Sequence, residues 1–155
     1  MLTANAAWAE RFPGSRDVRP ARKVAIIACM DARMPLFQML GLEVGDAHVL
    51  RNAGGVITED NLRSLAISQH VLGTRATILI HHTDCGLNKA DDEGVAQAVI
   101  GATGHRPPWK ALTFTDVDTD VRASLDIIRS TPYLDSEQLV GTVYDVTTGV
   151  LRRVS

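Results

Sequence analysis

Two short apolar runs rich in β-branched residues limit the folds open to this chain more than any other feature. The runs are Val24–Ala28 and Ala76–Ile80, and neither is interrupted by a charged residue. Continuous apolar runs of this length are typical of strands buried on both faces, as in a parallel sheet. Because parallel strands need crossover connections over the faces of the sheet, these runs predict an α/β fold with helices on both faces.

Further segments complete the predicted sheet. Ala47–Leu50 is the second strand in chain order and Leu139–Val146 the fourth, while Val150–Val154 is a short terminal strand in a hairpin after the turn at 147–149. With the first strand between the second and the third, the order is 2-1-3-4. The predicted fold class is therefore α/β, with a mainly parallel sheet of four strands plus a short terminal strand.

Four helices are predicted between these strands. They are Met34–Leu40, a helix capped by Thr58 that runs to about Leu72, Ala90–Ile100, and the amphipathic segment Asp116–Arg129. The second of them should bury a stripe formed by Leu62, Leu65, Ala66 and Leu72.

Length and charge limit the domain organisation and the partners. A chain of 155 residues suits one core, so we expect an N-terminal arm at 1–22, helical near Ala6–Phe12, and a single α/β domain at 23–155. A formal net charge of −2 without a dense Lys/Arg run argues against nucleic-acid binding.

No apolar run approaches the ~20 residues of a membrane span, and no secretory signal is recognisable. These features predict a cytoplasmic protein.

Two polar clusters directly follow the first and third predicted strands. The first runs from Cys29 to Arg33, and the second is His82-Thr-Asp-Cys85. Ligands of open α/β sheets bind at the carboxyl ends of the strands, where the strand order reverses. If the first and third strands are neighbours, Cys29, His82 and Cys85 meet at that edge despite a separation of over fifty residues.

Two cysteines and one histidine form a ligand set that suits zinc. Three protein ligands leave the fourth tetrahedral position to water, and the hydroxide that zinc generates there attacks electrophilic carbon such as that of CO2. Because two thiolates neutralise the charge of Zn²⁺, we expect activity that rises at alkaline pH. The alternatives for Cys29 and Cys85 are a disulfide or two buried thiols.

Asp31 and Arg33 lie beside the first predicted ligand and two residues apart. In an extended segment they share a face and can form a bidentate salt bridge. Arg33 would then hold Asp31 off the metal, where Asp31 accepts a proton from the metal-bound water. If the bridge opens, Asp31 can become the fourth ligand and close the site. The alternative is an ordinary salt bridge.

These motifs resemble the signature of the β-class carbonic anhydrases. The signature is Cys-x-Asp-x-Arg at Cys29–Arg33 followed by His-x-x-Cys at His82–Cys85. The resemblance covers residues 23–87, which include the segment Arg51–Gly54 and the helix carrying Ser64–Ser68. The sequence is most similar to the compact bacterial subgroup with Ala-Cys-Met-Asp-Ala-Arg and His-His-Thr-Asp-Cys-Gly.

The resemblance implies zinc-dependent reversible hydration of carbon dioxide to bicarbonate and a proton. It implies Cys29, His82 and Cys85 as zinc ligands, and Asp31 and Arg33 as the catalytic dyad. It also implies a homodimer or a larger homo-oligomer, with the active site near the dimer interface. Relatives on this scaffold hydrolyse carbonyl sulfide or carbon disulfide instead. A non-catalytic zinc protein, with Asp31 permanently bound to the metal, is the alternative of a different class.

Residues around the signature receive less definite roles. Gly54 and Gly55 match the loop that shapes the substrate pocket and would bring the backbone close to the site. His81 should point away from the metal and serve the structure. Asp84 is either a hydrogen-bond partner of the site or a helix cap, and Arg51 is either a structural ion-pair partner or an anion ligand near the dimer interface. The remaining histidines, His48, His70 and His105, are expected at the surface or in packing, with a proton-shuttle role as the alternative.

Overall fold

A computed structural model describes residues 1–154, whose strands form one sheet in the order β2-β1-β3-β4-β5. The strands are β1 (Val24–Cys29), β2 (Ala47–Asn52), β3 (Ala76–His82), β4 (Gln138–Tyr144) and β5 (Leu151–Val154). The first four are parallel, and β5 runs antiparallel to β4. The predicted α/β class and the strand order 2-1-3-4 with a short terminal strand are confirmed.

Within residues 1–154, five α-helices accompany the sheet. They are α1 (Leu2–Ala9), α2 (Leu36–Leu40), α3 (Glu59–His70), α4 (Asp92–Thr103) and α5 (Val117–Ser130), with single 3-10 turns at Ala53–Gly55 and Gly86–Asn88. α1 begins and ends earlier than the predicted helix at Ala6–Phe12. Its end before Phe12 is consistent with Pro13, because the residue before a proline disfavours helical backbone. No helix within residues 1–154 combines the length and the apolar character that crossing a bilayer requires.

The central strand β1 explains how the two layers of the core form. All six of its residues are buried, and alternate residues face opposite sides of the sheet. On one side, Val24, Ile26 and Ala28 belong to the cluster that includes Leu36 of α2. On the other side, Ala25 and Ile27 belong to the cluster with Leu65 of α3 and with Val121, Leu125 and Ile128 of α5. Helices therefore cover both faces, as the continuous apolar pattern predicted.

The buried face of α3 differs from the predicted stripe. Of the four predicted residues only Leu65 is fully buried, whereas the helix also buries Asn61, Ser68 and Gln69. These polar side chains have partners: Asn61 accepts the Thr58 N–H at 3.0 Å, Ser68 Oγ lies 2.9 Å from Thr74 Oγ1, and Gln69 bonds to the backbone of Asp135. Because each buried polar group is satisfied, this face needs fewer apolar residues than hydrophobic periodicity predicts.

α5 approaches β4 closely at Gly141. A Cβ atom at this position would lie 2.5 Å from Val121 Cγ1 and 2.8 Å from Leu125 Cδ1. The absence of a side chain therefore sets how closely the helix packs on the sheet.

We expect Gly141→Ala to reduce the free energy of unfolding by about 1 to 3 kcal/mol, because it overpacks the interface between α5 and β4. Gly101→Ala in α4 is the matched control, since a Cβ there meets no atom within 4 Å. That control should raise stability by about 0.5 to 1 kcal/mol through helix propensity. Urea unfolding measures both variants, and equal effects would contradict the close approach at Gly141.

A second contact between α5 and the sheet involves a buried histidine. Asp120 Oδ2 lies 3.2 Å from His81 Nδ1, and His81 Nε2 donates to the Gly55 carbonyl at 3.1 Å. Burial lowers the pKa of His81 to about 4, so that the ring is neutral and its Nδ1 is an acceptor. Burial also raises the pKa of Asp120 to about 6. A protonated Asp120 can therefore donate to His81 and connect α5 to β3.

We expect Asp120→Asn to change how stability depends on pH. A carboxyl whose folded-state pKa is raised from 3.8 to about 6 stabilises the fold while protonated, and this stability is lost as pH rises through about 6. Asparagine retains an N–H donor toward His81 but cannot ionise. Relative to wild type, the variant should gain on the order of 2 to 3 kcal/mol in free energy of unfolding between about pH 4 and pH 7.

The matched control is Asp126→Asn, which removes the same charge from an exposed position on the same helix. A pH-independent difference between Asp120→Asn and wild type, or a change of equal size in both variants, would contradict the raised pKa of Asp120.

Candidate metal centre

Cys29, His82 and Cys85 form one buried cluster in which the potential ligand atoms all lie within 4.8 Å of one another. The structure thus brings together the three residues that the sequence predicted as ligands. Both cysteines are free thiols, so the cysteines are not joined in a disulfide.

The parallel pairing of β1 with β3 creates this cluster. Cys29 is the last residue of β1 and His82 the last residue of β3, so both lie at the carboxyl ends of neighbouring strands. The predicted third strand was two residues too short, because His81 and His82 continue the pairing with β4. A turn with Asp84 in the left-handed region, at φ +58°, then returns the chain to place Cys85.

The Nε2 atom of His82 is available as an electron-pair donor for a further bond. Its Nδ1 donates to the Thr83 carbonyl at 2.8 Å, which fixes the tautomer with a lone pair on Nε2. Nε2 is buried and has no hydrogen-bond partner within residues 1–154. A buried acceptor without a partner is costly, and a metal ion bonded to Nε2 would satisfy it.

The charge distribution of the cluster also favours a cation. A hydrogen bond from Cys85 and the proximity of His82 lower the pKa of the Cys29 thiol, against the opposing effect of burial. A thiolate is the form in which cysteine binds metals. The donor set, the unpartnered Nε2 and the thiolate character of Cys29 together fit a bound metal ion.

Asp31 and Arg33 form a bidentate pair beside the cluster. Arg33 Nη2 donates to Asp31 Oδ2 at 2.7 Å and Nε donates to Oδ1 at 3.0 Å, while the Arg33 backbone N–H donates to Oδ1 at 2.8 Å. These bonds hold the pKa of Asp31 well below its usual range. Asp31 Oδ2 also lies 3.7 Å from His82 Nε2, so the ionised carboxylate borders the position that a metal would occupy.

The other side of the Arg33 guanidinium is held by Asp84. Arg33 Nη1 donates to Asp84 Oδ2 at 2.7 Å, and Nη2 donates to the Asp84 carbonyl at 3.0 Å. Lys89 forms an ion pair with the same carboxylate, and these two cations lower the pKa of Asp84 to about 2. Of the two roles left open for Asp84, the structure places it as a partner of the site.

Arg51 is a supporting residue whose contact the sequence did not reveal. Its Nε donates to the Cys29 carbonyl at 2.9 Å and its Nη2 donates to the Asp31 carbonyl at 2.7 Å. The guanidinium therefore holds the backbone on both sides of Met30 by hydrogen bonds. The ion pair that was one of the two expectations for Arg51 does not account for its position. No local motif carries this signal, since the contact depends on the register that pairs Ala28 with Arg51.

Gly54 and Gly55 lie next to the cluster in different ways. A Cβ on Gly54 would lie 2.7 Å from Leu87 Cδ1, and one on Gly55 would lie 2.9 Å from the Cys29 backbone nitrogen. Both glycines have φ +75°, a conformation that disfavours side chains. Gly54 lines a cavity at the cluster, whereas Gly55 lies against the backbone of β1 and does not line it.

The cavity has a volume of about 230 Å³. Its lining combines cluster residues with apolar or small neighbours: Cys29, Met30, Asp31, Ala53, Gly54, Cys85, Gly86 and Leu87. A cavity of this size and character accommodates a small, weakly polar molecule beside the cluster.

His81 points away from the cluster, as expected of a neighbour of His82 in an extended strand. It lies against Phe114 at a ring-centroid distance of 5.8 Å, in addition to its contacts with Gly55 and Asp120. Its position supports the loop behind the cluster.

Comparisons with known proteins agree with this geometry. Residues 24–109 match the family model described as carbonic anhydrase. β-Carbonic anhydrase 1 of Mycobacterium tuberculosis is 46% identical over 155 residues, covering 99% of this chain and 95% of that protein. Carbon disulfide hydrolase of Acidithiobacillus thiooxidans is 31% identical, covering 84% of this chain and 76% of that protein. The crystal structure of carbonic anhydrase from Streptococcus mutans has a TM-score of 0.94 at 35% identity, covering 99% of this chain and 95% of that chain.

These similarities extend over both the fold and the clustered residues. The family model spans more than half of the chain and includes the residues of the cluster. The mycobacterial relative matches almost from end to end. This chain therefore belongs to the β-carbonic anhydrase family.

Proposed function

We propose that this enzyme binds zinc through Cys29, His82 and Cys85 and catalyses the reversible hydration of carbon dioxide to bicarbonate and a proton. The observation that carries the proposal is the convergence of these three side chains beside the ionised Asp31. Membership of the β-carbonic anhydrase family supports the reaction.

Zinc is the metal that best suits the donor set. Two thiolates and one imidazole match its preference for sulfur and nitrogen in a tetrahedral site with three protein ligands. Bound zinc would supply a Lewis acid that lowers the pKa of a water in the fourth position.

Asp31 and Arg33 are proposed as the catalytic pair. Because the pKa of Asp31 is held well below its usual range, its carboxylate is an ionised hydrogen-bond acceptor at neutral pH. So weak a base would orient a water held at the metal position but would not retain its proton, which would pass on to solvent buffer. Arg33 keeps the carboxylate turned toward itself, which leaves the fourth position of the metal site to water.

The pocket is consistent with a small, linear substrate. CO2 has no net dipole and gains little from polar walls, so the apolar side chains of Met30 and Leu87 suit it. Gly54 lines this pocket, and a side chain at this position would collide with Leu87. Gly55 supports the pocket from behind by its contact with Cys29.

We expect the zinc-loaded protein to hydrate CO2 at a rate that rises from acidic to alkaline pH, measured by stopped flow. The two thiolates reduce the positive charge at the metal and so raise the pKa of its water above that of a three-histidine site. Asp31 stays ionised throughout and contributes no rise of its own. Metal analysis should give one zinc per chain, and Cys85→Ser should lose most of it.

The same assay distinguishes the competing substrates. Carbonyl sulfide and carbon disulfide are tested in parallel, because a carbon disulfide hydrolase is among the relatives. Faster turnover of either sulfur compound than of CO2 would overturn the proposed substrate. A flat pH profile across neutral pH would contradict the thiolate argument.

We expect Asp31→Ala to retain zinc and to lower the rate of CO2 hydration by about 10²-fold, the scale of a group that handles a reacting water. Asp126→Ala is the matched control, because its carboxylate is exposed on α5 and remote from the metal centre. It should hydrate CO2 at the wild-type rate. Inactivity of wild type and Asp31→Ala alike, with zinc bound to both, would instead identify a non-catalytic zinc site.

We further propose that the chain acts as a homodimer or a larger homo-oligomer, with the arm at 1–22 packed on a partner subunit and 23–155 forming the catalytic domain. α1 buries none of its residues, and Trp8 and Phe12 are 44% and 50% exposed. A groove of about 420 Å³ lies between the edge strand β2 and α3. Its apolar lining is Val49, Leu50, Ile67 and Leu72. Exposed aromatic side chains on the arm and a groove with an apolar lining suit association.

Light scattering should give at least twice the mass of one chain. Replacing Trp8 and Phe12 together by serine should shift the protein toward the monomer at micromolar concentration, since it removes the apolar surface of the arm. Replacing the exposed Val150 by serine, at the opposite end of the chain, is the control. A monomeric wild type would refute the proposed assembly.

A cytoplasmic location is proposed as well. It is supported by the thiol state of Cys29 and Cys85, because reducing compartments preserve free thiols.

A further inference from the structure

We propose that the enzyme carries a second binding site, for a small phosphate-type dianion, at the edge of the sheet opposite the metal centre. The site is a cavity of about 410 Å³ whose lining residues include Arg19, Lys23, His70 and Arg75. This volume falls within the range of small-molecule sites. The lining contains no aspartate or glutamate.

The sheet brings two of these cations together. Lys23 immediately precedes β1 and Arg75 immediately precedes β3, and the next residues, Val24 and Ala76, are paired in register. The Lys23 carbonyl also accepts the Arg75 N–H at 2.7 Å. Lys23 adopts φ +52°, an uncommon conformation for a side chain other than glycine, so its placement is imposed by the surrounding structure.

The third cation arrives from the segment before β1. Pro20 is buried, and its carbonyl accepts the Lys23 N–H at 2.9 Å, which ties the preceding residue Arg19 to the same corner. Asp17 accepts the backbone N–H of Arg19 at 2.8 Å but does not line the cavity.

These three cationic side chains have no hydrogen-bond or ion-pair partner among residues 1–154. Neighbouring cations behave differently: Arg22, also before β1, pairs with Asp46 at 3.0 Å. Like charges that share a cavity without a counter-charge repel one another, and a bound dianion would reverse that repulsion.

The end of α3 does not account for this charge. Cations near a helix C-terminus offset only about half an elementary charge. The last-turn carbonyls of Ile67 and Ser68 already accept N–H groups from Val71, Leu72 and Thr74. Three full positive charges exceed what the helix requires.

The cavity favours a small phosphate over a larger polyanion. Guanidinium groups bind phosphate oxygens in bidentate geometry, and the ammonium of Lys23 adds a point charge. The lining has no phenylalanine, tyrosine or tryptophan side chain on which a nucleobase could stack. His70 donates from Nε2 to the Tyr133 carbonyl at 2.7 Å, so this N–H is already used and the phosphate depends on Arg19, Lys23 and Arg75.

The site is separate from the catalytic centre. Lys23 and Cys29 mark opposite ends of β1, which at ~3.3 Å per residue are about 20 Å apart. A phosphate bound there would leave the cluster of Cys29, His82 and Cys85 accessible, so its binding is measured independently of CO2 hydration.

The experiment titrates the zinc-loaded enzyme with inorganic phosphate, and in a parallel arm with glycerol 3-phosphate, at low ionic strength and about pH 8, where phosphate is dianionic. Calorimetry gives the affinity, and amide NMR shifts locate the binding. We expect saturable binding that shifts the amides of Lys23, Gly73 and Arg75. Tighter binding of glycerol 3-phosphate would identify an ester as the natural ligand, and equal or weaker binding would identify free phosphate.

The test variant replaces Arg19 and Arg75 by glutamine, and the control replaces Arg11 and Lys110 by glutamine to remove the same charge from remote positions. We expect about tenfold weaker binding in the test variant and unchanged affinity in the control. The proposal is overturned if no saturable binding occurs, if the shifts are confined to the amides near the metal centre, or if both variants lose affinity equally. It is also overturned if association with a second copy of the chain covers the cavity and excludes phosphate.

Discussion

The parallel pairing of β1 with β3 is the constraint on which the rest of this structure depends. Two strands that run side by side in the same direction end at the same edge, and their last residues are Cys29 and His82. Neither residue could reach the other without that pairing, because over fifty residues separate them along the chain. The burial of β1 on both faces makes the pairing rigid, since any slip in register would turn its apolar side chains to the wrong layer.

Electrostatics then determines the chemistry of that edge. Arg33 is shared between Asp31 and Asp84, so one guanidinium keeps one carboxylate ionised beside the metal position and is itself fixed by the other. Arg51 contributes differently, because it binds backbone carbonyls and thereby fixes the course of the chain around Met30. Together these contacts hold the charged pair of Asp31 and Arg33 in place. They are anchored to the sheet because Arg51 belongs to β2 and Asp84 follows β3.

Close backbone approach is the other requirement of the site. Gly55 lies against the backbone nitrogen of Cys29 while its carbonyl holds His81, which in turn contacts Asp120 of α5. The loop at Ala53–Gly55, which borders the pocket, is therefore connected to α5 through the buried His81. Gly141 lies on the same side of the sheet as His81 and allows α5 to lie close enough for that connection.

The sequence by itself determined the fold class, the strand order and the residues of the cluster. Apolar runs specify buried strands through local pattern, and Cys29, His82 and Cys85 carry chemistry that few other residue types can supply. Only the tertiary structure decided the contacts of Arg51, the sharing of Arg33 between Asp31 and Asp84, and the polar face of α3. The physical reason is that these contacts join segments distant in the chain, so they follow from register and packing and leave no periodic or local signal.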